Sequence, residues 1–149
     1  GYPVQIAQLS LVEDSEGPGR FRGGLGLRKD FRVLQPTTFT ILADRDKEGP
    51  WGAFGGHDAA AARYVLIRDG VETRLGSKST TDLLAGDTVS VRSCGGGGFG
   101  PPEERDPQRV LRDVLEGKVS VRRARERYQV EIVDGRVDEQ ATHELRGAA

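Results

Sequence analysis

Arg63-Tyr64-Val65-Leu66-Ile67-Arg68-Asp69-Gly70-Val71-Glu72-Thr73-Arg74-Leu75 is the stretch that decides the fold class. Two runs rich in β-branched and aromatic residues flank Asp69-Gly70. That pair tolerates the positive φ angles of a two-residue hairpin turn, so the stretch predicts strand, turn and strand from Tyr64 to Leu75. Working outward, Leu27, Phe31 and Val33 alternate with Arg28, Asp30 and Arg32, the period of a half-buried strand. Thr37 to Leu42 is rich in β-branched residues, and the Gln35-Pro36 turn predicts that it pairs beside the preceding strand. Thr88 to Val91 reads as a further strand. In Val4-Gln5-Ile6 and Leu9-Ser10-Leu11 the apolar alternation changes phase, which predicts a bulge.

At residue 94 the character changes. Cys94-Gly95-Gly96-Gly97-Gly98-Phe99-Gly100 runs into Pro101-Pro102 and predicts a loop. Asp106 then caps a helix with Pro107 at its first position, and Val110, Leu111, Val114 and Leu115 share its apolar face. Gly117 ends it. Ser120 opens a second helix with Val121, Ala124 and Tyr128 on one side and Arg122, Arg123, Arg125 and Arg127 in water. Val130 to Val137, turning at Asp134-Gly135, predicts a small hairpin, and Asp138 caps a last helix through Leu145. The expected fold is therefore mainly β: a β-rich domain with Gly-rich loops over residues 1–93, a Gly/Pro-rich connection over 94–105, and a short helical C-terminal appendage with a small hairpin over 106–149, packed on the same domain.

The 149 residues carry 22 Lys+Arg against 23 Asp+Glu, a net charge of −1. This balance argues against nucleic-acid binding, which needs many cationic phosphate contacts. No run approaches 18 apolar residues, so no membrane span is expected. Cys94 stands alone, which excludes an intrachain disulfide and a cysteine-based zinc site and suits a reducing cytoplasm. The 21 glycines predict tight turns and close backbone packing.

The tetraglycine run could cradle an oxyanion through successive N–H groups. It lacks the Lys-Ser/Thr of a phosphate loop, and Pro101-Pro102 stands where a dinucleotide-binding helix would begin. His57, beside Asp58 in a glycine loop, has no further ligands nearby, so no metal site is expected. His143 reads as a surface group, Cys94 as a small buried thiol, and Trp51 as a core aromatic anchoring its loop. Glu103-Glu104-Arg105-Asp106 reads as a solvated helix start. The catalytic residues are not legible. The candidate anion-facing or interface loops are Arg20 and Arg22 together with Gly95, Gly96, Gly97 and Gly98, because glycine lets amides approach an anion and arginine binds one bidentately. In the full-length complex, Gly97→Val and Arg22→Ala should each cut turnover at least about tenfold while leaving assembly and melting temperature near wild type; the alternative is that both runs are turns with solvent-exposed arginines.

Several segments in order resemble the C-terminal region of the hydantoinase B/oxoprolinase family. They are Tyr2-Pro3 with Ser15-Glu16-Gly17-Pro18-Gly19-Arg20-Phe21-Arg22-Gly23-Gly24-Leu25-Gly26, then Asp44-Arg45, Pro50-Trp51-Gly52, Gly55-Gly56 and Ser77-Lys78. Gly86-Asp87 follows, then Gly95 to Gly98 with Phe99-Gly100 and Pro102, Arg105-Asp106-Pro107, Val110, Asp113-Val114, Gly117, Ala124 and Tyr128. Glu16, Cys94, Pro101 and Gln129 depart from the pattern and put particular turns in doubt. The resemblance implies a hydrolase acting on cyclic amides such as hydantoins or 5-oxoproline. In it, this chain would be a non-catalytic C-terminal portion of a longer subunit, beside a hydantoinase A-like subunit that uses ATP. No cofactor is expected in this chain, while ATP and a divalent metal are implied for the parent complex, the metal ligands lying upstream. Two alternatives stand: a stand-alone binding or assembly domain, and part of a related ATP-dependent ketone carboxylase.

Overall fold

The computed structural model describes residues 2–147. Five antiparallel strands form the main sheet in the order β1 (Val4–Leu11), β2 (Leu27–Val33), β7 (Thr88–Arg92), β4 (Arg63–Arg68) and β5 (Val71–Leu75). The mainly β reading holds, and the β4–β5 hairpin turns at Asp69 and Gly70 with φ of 51° and 78°. The bulge also holds, since the β1–β2 register shifts between Ile6 and Gln8.

β3 (Thr37–Leu42) departs from expectation. It pairs not with β2 but with β6 (Lys78–Leu83), in a separate two-stranded ribbon. The chain changes layers after Val33, so the ribbon can bring Ile41 and Leu83 down onto Val33, Leu66 and Val89 of the main sheet. β6 carries no apolar alternation to betray it, because only Leu83 is buried and its outward side chains are polar. Thr80 bonds Thr40 across the ribbon, and Thr38 donates to Asp82. Cys94 is half-buried at the edge of this core.

The appendage consists of α1 (Pro107–Leu115), α2 (Val121–Tyr128), the hairpin of β8 (Ile132–Val133) and β9 (Arg136–Val137), and α3 (Glu139–Gly147). Asp106 accepts from the Gln108 amide and Ser120 from the Arg123 amide, which caps α1 and α2. The appendage has its own small core of Val110, Val119, Ala124, Tyr128, Val130 and Ile132. Leu115 and Val121 were expected inside but are exposed, whereas Asp113 is buried on α1. Among the described residues no helix is long and apolar enough to cross a membrane.

Candidate functional site

Three glycine-rich segments, residues 12–26, 49–60 and 93–101, meet at one end of the sheet and interlock backbone against backbone. Gly17 N–H donates to Gly96 O, Gly96 N–H to Gly24 O, Gly95 N–H to Ala60 O and Gly98 N–H to His57 O. In the other direction His57 N–H donates to Pro18 O, Ala60 N–H to Ser15 O and Ala53 N–H to Gly98 O, while Phe21 and Phe99 exchange a reciprocal pair. Each segment is thus bonded to the other two. The close approach excludes side chains. A Cβ on Gly23 would lie 1.8 Å from Gly96 O, and one on Gly97 would lie 1.9 Å from Trp51 O. The tetraglycine run is the centre of a rigid knot, and Gly97→Val cannot leave the fold intact.

The knot separates the residues proposed from sequence. Gly95, Gly96 and Gly98 have their N–H groups occupied by carbonyl oxygens. Arg22 is largely buried and donates through Nε to Asp113 Oδ2 at 2.9 Å. Burial opposes its charge most strongly of any single cause, but the Asp113 hydrogen bond and charge prevail, and its pKa rises. Arg20 instead stays at the rim, its side chain 58% exposed, 5.7 Å from the centre of the Phe21 ring and 3.5 Å from Glu104. Exposed Phe21, Phe54 and Phe99 cluster beside it, with ring centroids 5.0 and 6.3 Å apart. Trp51 is not a core anchor. Its backbone faces Gly97, the residue is 70% exposed, and Arg45 lies 5.0 Å from the centre of its ring.

A buried ionic network ties the knot to the appendage, and sequence reasoning missed it. Glu16 is fully buried in the first glycine loop. Its Oε1 accepts from Arg123 Nε at 2.8 Å and from the Tyr128 hydroxyl at 3.0 Å, while Arg123 Nη2 donates to Glu16 O at 2.7 Å. Asp14 accepts from the Ser120 amide and hydroxyl, both at 2.7 Å. Asp113 Oδ2 accepts from Arg105 as well as Arg22, so Arg105 is buried rather than part of a solvated helix start. Arg123, expected in water, is likewise drawn inward. Burial, then the Glu16 charge and hydrogen bond, push the Tyr128 phenol far above its ordinary range. Burial also lowers the Arg146 guanidinium, which donates to the carbonyls of Arg105 and Tyr128.

Beside the network lies an open polar cleft of about 560 Å³, lined by Asp14, Pro18, His57, Asp58, Arg123 and Arg127. His57 and Asp58 are exposed, and Asp58 accepts from the Gly52 amide at 2.9 Å. Among the described residues no three His, Cys, Asp or Glu side chains gather into a metal-ligand set. His143 is exposed on α3.

Residues 1–102, the whole sheet and the knot, match the family model for hydantoinase B/oxoprolinase. An uncharacterized protein of Methanocaldococcus jannaschii, MJ0963, is 41% identical over 98% of this chain and 27% of its own length. The caprolactamase subunit beta of Pseudomonas jessenii is 35% identical over 99% of this chain and 26% of its own. The crystal structure of that ATP-dependent caprolactamase superposes with a TM-score of 0.83 at 33% identity, covering 98% of this chain and 26% of the solved one. A nucleotide-free acetone carboxylase superposes with a TM-score of 0.82 at 25% identity, covering 98% and 24%. The chain spans about a quarter of the length of these relatives. Family model, whole-chain identity and superposed fold agree, and the chain belongs to the hydantoinase B/oxoprolinase family.

Proposed function

We propose that this chain is a non-catalytic C-terminal portion of a B-type subunit whose enzyme opens cyclic amides with the help of ATP and a divalent metal held elsewhere. In this reading the partners are the upstream part of the same subunit and a hydantoinase A-like subunit. The observation that carries it is the buried network: Glu16, Arg22, Arg105, Asp113, Arg123 and Tyr128 are spent on one another across the boundary between knot and appendage. Groups held in this way position a scaffold and are not free to carry a reaction. Support for a cyclic-amide substrate comes from the caprolactamase likeness. The acetone carboxylase likeness favours a second reading, an ATP-dependent ketone carboxylase.

Within the intact enzyme, the glycine loops at 20–22 and 95–98 face the catalytic part or a subunit boundary. The Gly95, Gly96 and Gly98 amides are bonded within the knot, whereas Arg20 stays exposed at its rim and can reach an anion, with the Phe21, Phe54 and Phe99 rings forming the contact around it. The test is the native complex assayed for ATP-dependent opening of caprolactam, hydantoin and 5-oxoproline, and for bicarbonate-dependent carboxylation of acetone. Ring opening supports the first reading, and carboxylation alone replaces it with the second. Arg20→Ala should cut turnover at least about tenfold, a barrier change of about 1.4 kcal/mol, with the melting temperature unchanged. Full activity in that variant rejects the placement of the loops.

A further inference from the structure

We propose that β1 and the apolar half-face beside it form the docking surface for the remainder of the B-type polypeptide, which adds a strand to this edge in cis. The inference rests on the reading that the chain is part of a longer subunit. β1 lies at one edge of the main sheet, and seven of its eight residues are exposed. It contains no charged residue and no proline in Val4–Leu11. Edge strands in finished proteins are ordinarily blunted by lysine, proline or a covering element, because their free N–H and C=O groups recruit further strands.

The bulge gives this edge a definite face. Because the register shifts between Ile6 and Gln8, Val4, Ile6, Leu9 and Leu11 stand opposite Val33, Phe31, Lys29 and Leu27, alternate residues of β2. All four apolar side chains therefore share one side of the sheet. Val89 and Val91 of β7 and Tyr64 and Leu66 of β4 belong to the same side by register. There the β3–β6 ribbon covers them and makes the core. Toward β1 the ribbon stops, and Ile6, Leu9, Leu11 and Leu27 are each more than half exposed. An apolar crevice of about 250 Å³ opens at that border, with Val4, Phe31 and Phe39 in its walls. One face, apolar except for Lys29, whose ammonium lies 5.5 Å over the Phe31 ring, is thus half covered by this chain.

The occupant follows from chain length. The relatives matched over the whole chain have about three residues outside the match for every one inside it, since the match is 27% and 26% of their length. An extended segment of that remainder fits both requirements of β1. Its backbone satisfies the free edge, and its alternate side chains cover Ile6, Leu9 and Leu11.

The test compares hydrogen–deuterium exchange in the native subunit, captured from its source with an antibody to α3, with that in the 149-residue chain. The β1 peptide should exchange at least tenfold more slowly in the native subunit, while β5, the opposite edge, serves as reference. Leu9→Lys should leave the melting temperature of the short chain unchanged and disrupt folding or assembly of the full subunit. Equal β1 exchange in both forms, or a full subunit indifferent to Leu9→Lys, overturns the inference. So does a concentration-dependent dimer of the native subunit that Leu9→Lys abolishes, because it assigns the face to a second copy. The mass of the captured polypeptide is a separate readout: 149 residues would remove the occupant and overturn the proposed function with it.

Discussion

Replacing Glu16 by alanine should be among the most damaging single changes available to this chain. The carboxylate is fully buried and receives Arg123 at 2.8 Å and the Tyr128 hydroxyl at 3.0 Å. Its removal leaves Arg123, its side chain only 18% exposed, with Asp14 at 4.0 Å in place of a hydrogen-bonded carboxylate, and leaves the buried Tyr128 hydroxyl without its acceptor. Breaking a buried pair from one side costs about 3–5 kcal/mol, because the surviving charge remains desolvated. Against a total stability of about 5–15 kcal/mol that is a large fraction. At about 2–4 °C per kcal/mol for a chain of this size, the melting temperature should fall by roughly 6–20 °C. The assay is urea and thermal denaturation followed by circular dichroism, completed as a double-mutant cycle with Arg123→Ala. The double variant should be less destabilised than the sum of the singles, since removing both partners strands neither. A loss below about 1 kcal/mol for Glu16→Ala, or strict additivity in the cycle, would show that Glu16 is solvated and that the appendage is not held through it.

Gly23→Ala should cost at least about 2 kcal/mol, because its Cβ meets Gly96 O at 1.8 Å. Gly24→Ala, with open space at its Cβ, should stay within about 0.5 kcal/mol, and urea midpoints compare the two. The Arg68 hydrogen bonds hold the Asp87 carboxyl below its ordinary pKa, with help from the Leu84 amide and against burial. Its contribution is present above the unfolded pKa of about 3.9 and is lost as pH falls through the lower folded value. Asp87→Asn should therefore differ most from wild type at pH 7, and the gap in melting temperature should shrink toward pH 2. Tyr128 has the opposite sign. Its raised folded pKa stabilises the chain below about pH 10, and that contribution is lost progressively as pH climbs above it. In Tyr128→Phe the alkaline fall in stability should be shallower than in wild type, as read by stability curves from pH 8 to 12.

What the sequence determined by itself was local. The β4–β5 hairpin followed from Asp69-Gly70, whose positive φ angles need no distant contact. The β1 bulge followed from a phase change in apolar alternation, and the caps at Asp106 and Ser120 followed from side-chain oxygens that accept an amide of their own helix. The order of the family segments was equally legible, because it is a property of the string. Tertiary structure decided the rest, because the rest depends on partners far apart in the chain. β3 found β6 across some 40 residues, and a polar strand such as Lys78–Leu83 has no periodic signature without the sheet it covers. The glycine run became a knot because two other glycine segments met it at backbone distance. Glu16 and Arg123 lie 107 residues apart, and nothing local separates a buried ion pair from a glutamate in a loop and an arginine on a wet helix face. Burial and pairing are properties of the assembled interior, and only the folded chain brings those two charges out of water together.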